Sequence, residues 1–352
     1  MLFTFFKKLT FITLVLFIGN TALADGHSKI KIGILHSLSG TMAISETTLK
    51  DTMLMLIDEQ NKKGGLLGKK LEPVVVDPAS NWPLFAEKAR ELLTVSKVDV
   101  MFGCWTSVSR KSALPVLEEL NGLLFYPVQY EGEESSKNVF YTGAAPNQQA
   151  IPATDYYLEE LGVKKFALLG TDYVYPRTTN KILKQYLIDK GIPESDIFVN
   201  YTPFGHSDWS KIVADVVSLG ADGKKVGVIS TINGDANIGF YKELAAAGIK
   251  ADDIPVVAFS VGEEELSGLD TKNLVGHLAA WNYFQSAESD LNTDFIKQWK
   301  STMGDKRVTN DPMEAHVIGF KMYVKAVEKA GTTDVDAVRK AMYGIKVPNL
   351  TG

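Results

Sequence analysis

Ile30-Lys31-Ile32-Gly33-Ile34-Leu35, then Ser37-Leu38-Ser39-Gly40-Thr41-Met42-Ala43, then Leu49, Met53, Leu56, Ile57 and Gln60 at helical spacing: this stretch decides the fold. The first segment alternates and then runs apolar, as a strand does, and the second is a polar loop containing glycine. The third repeats every three or four residues with Asp58 and Glu59 on the opposite side, the mark of an amphipathic helix. Strand, loop and helix form a unit, and the chain repeats it. Gly64-Gly65-Leu66-Leu67-Gly68 ends the helix with residues that tolerate positive φ, and Leu71 to Val76 is the next β-branched run. Pro83 opens a helix carrying Phe85, Ala89, Leu92 and Leu93. Val98 to Gly103 reads as a buried strand, Arg110 to Leu120 as a helix and Leu123 to Tyr126 as a short strand.

A second series follows the loop Thr142-Gly143-Ala144-Ala145-Pro146. It runs helix Gln148–Leu161, strand Lys165–Gly170, helix Thr178–Lys190, strand Ile197–Thr202, helix Trp209–Leu219, strand Val226–Ser230, helix Ile238–Ala247 and strand Ile254–Phe259. Residues 275–283 look like another strand, and helices are expected within Thr293–Met303, Pro312–Ala330 and Val335–Met342. Continuous apolar strands between amphipathic helices indicate parallel sheets covered on both faces. The expected fold is therefore α/β, two doubly wound parallel-sheet lobes. Residues 25–145 with about 283–345 would form lobe 1, and 146–282 lobe 2.

The 352 residues are enough for about two domains. With 37 basic and 42 acidic residues the net charge is -5, so nucleic acid is not an expected partner. The single cysteine, Cys104, has no internal disulfide partner, and neither a C-x-x-C nor an H-E-x-x-H spacing marks a metal site. No cofactor is expected. Lys7 and Lys8 precede the apolar run Leu9 to Ile18, and Thr21-Ala22-Leu23-Ala24 ends in the small-x-small pattern of a secretory signal. Residues 1–24 are read as a signal peptide cleaved after Ala24, the run being too short to span a bilayer. The product is expected in the periplasm.

Ligands of open parallel sheets bind beyond the carboxyl ends of the strands. That rule selects Cys104-Trp105-Thr106-Ser107, Pro127-Val128-Gln129-Tyr130-Glu131, Thr171-Asp172-Tyr173-Val174-Tyr175-Pro176 and Thr231-Ile232-Asn233-Gly234-Asp235. Aromatic, hydroxyl, amide and carboxylate groups without a phosphate-cradling glycine loop suit a small, planar, uncharged molecule. Each group also has a plainer reading. Trp105 and Tyr126 are equally core or rim aromatics, Tyr173 and Tyr175 loop anchors, Asp235 a turn residue or N-cap, and Thr106 and Ser107 helix caps. A helix N-terminus can activate a thiol, so a hydrolase using Cys104 is conceivable; with no base recognisable beside it, a buried structural thiol is the better reading. None of the five histidines is given a role.

The segments Ile32–Ala43, Asn61–Gly68, Gly103–Lys111, Phe125–Gly132, Gly143–Gln149, Gly170–Arg177 and Asn233–Asp235 together resemble type I periplasmic solute-binding proteins of ABC importers, within them the urea-binding subgroup. Short-chain amide receptors, including cytoplasmic amide-sensing regulators, are similar. The resemblance covers nearly all of the chain after residue 24. It implies two lobes joined by a multi-strand hinge, closing over urea, and no enzymatic step. In the amide branch the ligand-contacting roles fall here on Trp105, Ser107, Tyr126, Gln129 and Tyr173; loop geometry adds Thr106, Tyr130 and Asp235. The outer rims would meet an inner-membrane ABC permease with its ATPase subunits. Family members continue into further strands, of which residues 346–352 would begin the last crossing. A receptor for short-chain amides or branched-chain amino acids is the alternative.

Overall fold

The computed structural model describes residues 29–351, so the signal-peptide reading falls outside the described residues. The opening unit folds as anticipated. Strand β1 (Lys29–Leu35) leads into α1 (Ala43–Lys62), followed by β2 (Lys70–Val76), α2 (Trp82–Glu91), β3 (Val100–Gly103), α3 (Ser107–Glu119) and β4 (Leu124–Tyr126). A further strand, β5 (Val139–Tyr141), was not anticipated: three residues are too short to show a period, and β5 exists because Val139, Phe140 and Tyr141 pair with Leu124, Phe125 and Tyr126. All pairings are parallel, in the order β2-β1-β3-β4-β5. Pro73 is tolerated because β2 is an edge strand.

The second sheet is built from β6 (Lys165–Thr171), β7 (Ile197–Thr202), β8 (Val226–Thr231), β9 (Val256–Ala258) and β10 (Leu278–Ala279), in the order β10-β9-β8-β6-β7. The expected strand over 275–283 shrinks to two paired residues. Helices α4 (Ala150–Glu159), α5 (Val174–Asp189), α6 (Ser210–Leu219) and α7 (Ala236–Ala246) cover this sheet. Along β6, Phe166 and Leu168 join the core on one face while Ala167 and Leu169 join the core on the other. Val256 and Val257 of β9 divide likewise. That division explains why the strands read as unbroken apolar runs: both faces are buried.

Helices α8 (Asp290–Met303), α9 (Asp311–Ala330) and α10 (Val335–Met342) return to the first lobe. Their Phe295, Trp299, Phe320, Tyr323, Val327 and Val338 share one continuous core with Ile32, Phe102 and Phe125. A buried polar chain adds a tie: Glu46 Oε2 lies 3.1 Å from His36 Nδ1, and His36 Nε2 lies 2.8 Å from His316 Nε2 on α9. Burial holds His316 well below the usual histidine pKa, so this chain is neutral packing at the α9 end. No described helix is long and apolar enough to cross a membrane.

Strand order locates the working face. In the first sheet the order reverses between β1 and β3, and in the second between β6 and β8. The carboxyl ends at those points are where connections diverge and leave a crevice. Gly103 lies at one of them, where a Cβ would come within 2.2 Å of the Leu35 carbonyl oxygen; the ends of β1 and β3 approach too closely for a side chain.

Candidate functional site

At the end of β3, Cys104 takes a left-handed φ of 65° with its N–H on the Leu35 carbonyl, turning the chain sharply into α3. The next residues therefore face the second lobe. Trp105 is 1% exposed, and its Nε1 donates to Asn233 Oδ1 beyond β8 at 3.2 Å. After β4, Gln129 crosses the same gap: its Nε2 donates to the Phe259 carbonyl at 2.6 Å and to Ser260 Oγ at 3.0 Å. Gln149 reaches the Phe259 and Ala280 carbonyls beside it. The Asp235 N–H meets the Thr41 carbonyl at 3.2 Å, and Gly234, at φ 70°, permits the approach because a Cβ there would sit 2.5 Å from that oxygen. Phe204 packs 4.9 Å from Trp82 of the first lobe and 5.0 Å from Tyr173 of the second. The lobes are closed on one another.

Trp105 and Gln129 span the gap, and Tyr126, Tyr173, Tyr175, Ser107 and Glu131 are buried at or just beyond the carboxyl ends of β3, β4 and β6. Burial pushes the phenols of Tyr126, Tyr173 and Tyr175 far above the ordinary range, so they stay protonated and able to donate. The Tyr126 hydroxyl donates to the Trp105 carbonyl, which fixes the aromatic wall. The expected donors are differently employed. Thr106 Oγ1 caps α3 by accepting from the Ser109 N–H, which is why the helix starts at Ser107 rather than Arg110. Ser107 Oγ donates to Glu131 Oε2 at 2.5 Å and accepts from Arg110, so its hydroxyl hydrogen is committed within the protein. Tyr130, only partly buried, stacks on Tyr141 at 4.6 Å, with Arg110 over both rings. Asp235 stands apart: it is exposed at the start of α7 and touches the cleft rim through its backbone.

Unspent groups define what the site can receive. Gln129 Oε1, Glu131 Oε1 and Tyr175 Oη are buried without a geometrically formed hydrogen bond among the described residues, with the Gln129 side chain within reach of the Tyr175 phenol and with Arg110 and Lys111 each 3.5 Å from Glu131 Oε1. Two are acceptors and the third a phenol, and a buried polar atom left unpaired costs about 1–3 kcal/mol. Neither Glu131 nor Tyr175 was singled out from the sequence as ligand-binding, nor was Asn233; the signal available was only their presence in the loops after β4, β6 and β8. Cys104 is buried and its thiol is pushed far up by desolvation, which makes it no nucleophile. Among the described residues no three histidine, cysteine or acidic side chains are grouped to hold a metal ion. A separate cavity of about 360 Å³, lined by Tyr241, Leu274, Leu278 and Phe284, belongs to the far edge of the second sheet and not to this cleft.

The comparisons agree with this architecture. The family described as "Periplasmic binding protein domain" matches residues 30–352. The Leu/Ile/Val-binding protein BraC3 of Rhizobium johnstonii is 26% identical over 337 residues, covering 93% of this chain and 87% of that protein. A branched-chain amino acid substrate-binding protein of Streptococcus pneumoniae, solved with isoleucine, superposes with a TM-score of 0.79 at 18% identity, covering 92% of this chain and 90% of that one. A solute-binding protein of R. palustris solved with 4-hydroxybenzoate gives 0.78 at 21%, covering 92% and 87%. At such identities the solved structures speak for the fold alone. Two parallel-sheet lobes shut over a buried aromatic cleft, with a family match spanning the described chain, place this protein in the periplasmic binding protein family, whose members hold solutes rather than transform them.

Proposed function

We propose that this receptor closes over a small neutral solute rich in N–H groups, urea foremost and short-chain amides next, and delivers it in the periplasm to an ABC importer. The observation that carries the reading is the group of buried polar atoms that form no geometrically sound hydrogen bond: Gln129 Oε1 and Glu131 Oε1 as acceptors, and Tyr175 Oη, next to the Gln129 side chain, as a donor. Urea offers N–H groups on two flanks and one carbonyl, and the first backbone N–H groups of α3 supply further donors. Trp105, Tyr126, Tyr173 and Tyr175 would cover the plane of the molecule and exclude water.

The Leu/Ile/Val-binding relatives favour a branched-chain amino acid as the solute. Two features of this chain weigh against it. The inward residues named above are aromatic or polar, as a flat polar solute requires and a leucine side chain does not. Arg110 and Lys111, the cations of α3 beside these loops, are already paired with Glu134 and Glu131. Melting temperature with urea, acetamide, isoleucine and 4-hydroxybenzoate separates the readings, because a ligand at 100 times its Kd stabilises by about 2.7 kcal/mol. Urea is expected to raise Tm and isoleucine to leave it unchanged; the reverse pattern would establish the amino-acid reading.

A further inference from the structure

We infer that Glu131 is the charge filter of the cleft, receiving N–H groups of the solute and excluding carboxylates, so that the site admits the guanidinium ion as well as urea. The inference rests on the cleft being the site of a small N–H-bearing solute.

Two carboxylates serve Arg110 and Lys111, and they are used unequally. Glu134 is saturated: Oε1 accepts from Arg110 Nε and Tyr141 Oη, each at 2.7 Å, and Oε2 accepts from Arg110 Nη2 and from Lys111. Burial opposes its ionisation, but Arg110, Lys111 and Tyr141 outweigh that and hold it down at about 2. The Arg110 fork is filled by Glu134 and Ser107, and its face lies 4.5 Å from the Tyr126 ring centre. Glu131 gives Oε2 to Ser107 and keeps Oε1 without a hydrogen bond, 3.5 Å from both Arg110 and Lys111. Glu131 is buried and held against Ser107 at the start of α3, which keeps it among the loop residues of the cleft rather than on the outer surface.

Arg110 and Lys111 balance Glu131 and Glu134, so what a carboxylate solute would meet at Glu131 Oε1 is an acceptor facing an acceptor, with no hydrogen between them and water excluded. A neutral amide supplies the missing hydrogen bond, and hydrogen bonds to a charged acceptor are stronger than neutral ones. Guanidinium has urea's planar shape with its carbonyl replaced by a third nitrogen. It adds opposite charge, and the phenols turn from donor to acceptor.

Titration calorimetry on the full chain with urea, guanidinium, isoleucine and 4-hydroxybenzoate tests this, comparing the wild type with Glu131→Gln, which retains an acceptor for Ser107. Expected are binding of urea and guanidinium by the wild type, no binding of 4-hydroxybenzoate, and in the variant about 10-fold weaker urea and about 100-fold weaker guanidinium. Unchanged affinities in the variant, or wild-type binding of 4-hydroxybenzoate as tight as urea, would overturn the filter. Should isoleucine bind instead of urea, the proposed solute fails and so does the exclusion of carboxylates, while the N–H acceptor role of Glu131 is judged alone: a 10-fold or larger loss of isoleucine in Glu131→Gln sustains that role, and no loss refutes it. Binding of no probe at about 10 mM overturns both. If Glu131→Gln does not fold, Glu131→Asp decides, since the charge is kept but the oxygen withdrawn; undiminished urea and guanidinium affinity would refute the assignment.

Discussion

Two groups of buried carboxylates flank the interface between the lobes, and they are built on opposite plans. Beside α3, Glu131 and Glu134 face Arg110 and Lys111, so that each negative charge has a positive one within 3.5 Å. Beside residues 280–289, the hinge segment where the chain passes from the second lobe back to the first, Glu265 and Asp311 are buried with backbone N–H groups as their hydrogen-bond partners: Gly262 for the first, Asn282 and Tyr283 for the second. Ser45 of α1 lies against Glu265 from the other lobe, and Glu264 adds like charge; Glu263 and Glu314 do so for Asp311. Desolvation raises both hinge acids to about 7. Matched charge fixes a protonation state, whereas unmatched burial makes it answer to pH.

The sharpest way to break the matched side is Arg110→Met. Removing it leaves two buried carboxylates to share Lys111, and a loss of about 3 kcal/mol in guanidinium chloride unfolding is expected; a loss below about 1 kcal/mol would show that the network is not matched as described. On the unmatched side the sign is reversed. Glu265 binds its proton more tightly folded than unfolded, so its ionisation costs stability above pH 7, and that cost is relieved as pH falls toward 4.5. At about 1.4 kcal/mol per pH unit between those values, Glu265→Gln should stabilise the protein by about 2–3 kcal/mol at pH 8 and by nearly nothing at pH 5. A pH-independent difference between variant and wild type, measured by denaturation at both pH values, would remove the contrast between the two groups. The smallest effect belongs to Cys104→Ala, a small buried truncation costing about 1 kcal/mol of stability. Solute affinity should be unaltered by it; lost binding would give the thiol a part in the cleft.

Much of the cleft was legible because loop position follows from strand position. Once β3, β4, β6 and β8 were placed, Trp105, Tyr126, Gln129 and Tyr173 followed as residues at the carboxyl ends of β3, β4 and β6, and Trp105 and Gln129 reach across to the other lobe. What each polar atom does there was not legible. Ser107 finds Glu131 at a separation of 24 residues, Trp105 finds Asn233 at 128 and Gln129 finds Phe259 at 130. Asp235 shows the converse: it has the right residue type in the right loop, yet its side chain faces solvent.

Taken alone, the amino-acid order determined the α/β units, their parallel pairing and the four loops that carry the site. Hydrophobic period and turn chemistry are local, and crossovers between buried strands leave little choice of topology. Tertiary structure alone decided which donors are spent within the protein, which acceptors stay open between the lobes, and which buried acids have a counter-ion. Those properties depend on atoms within about 3 Å of one another that the chain brings together from more than a hundred residues apart.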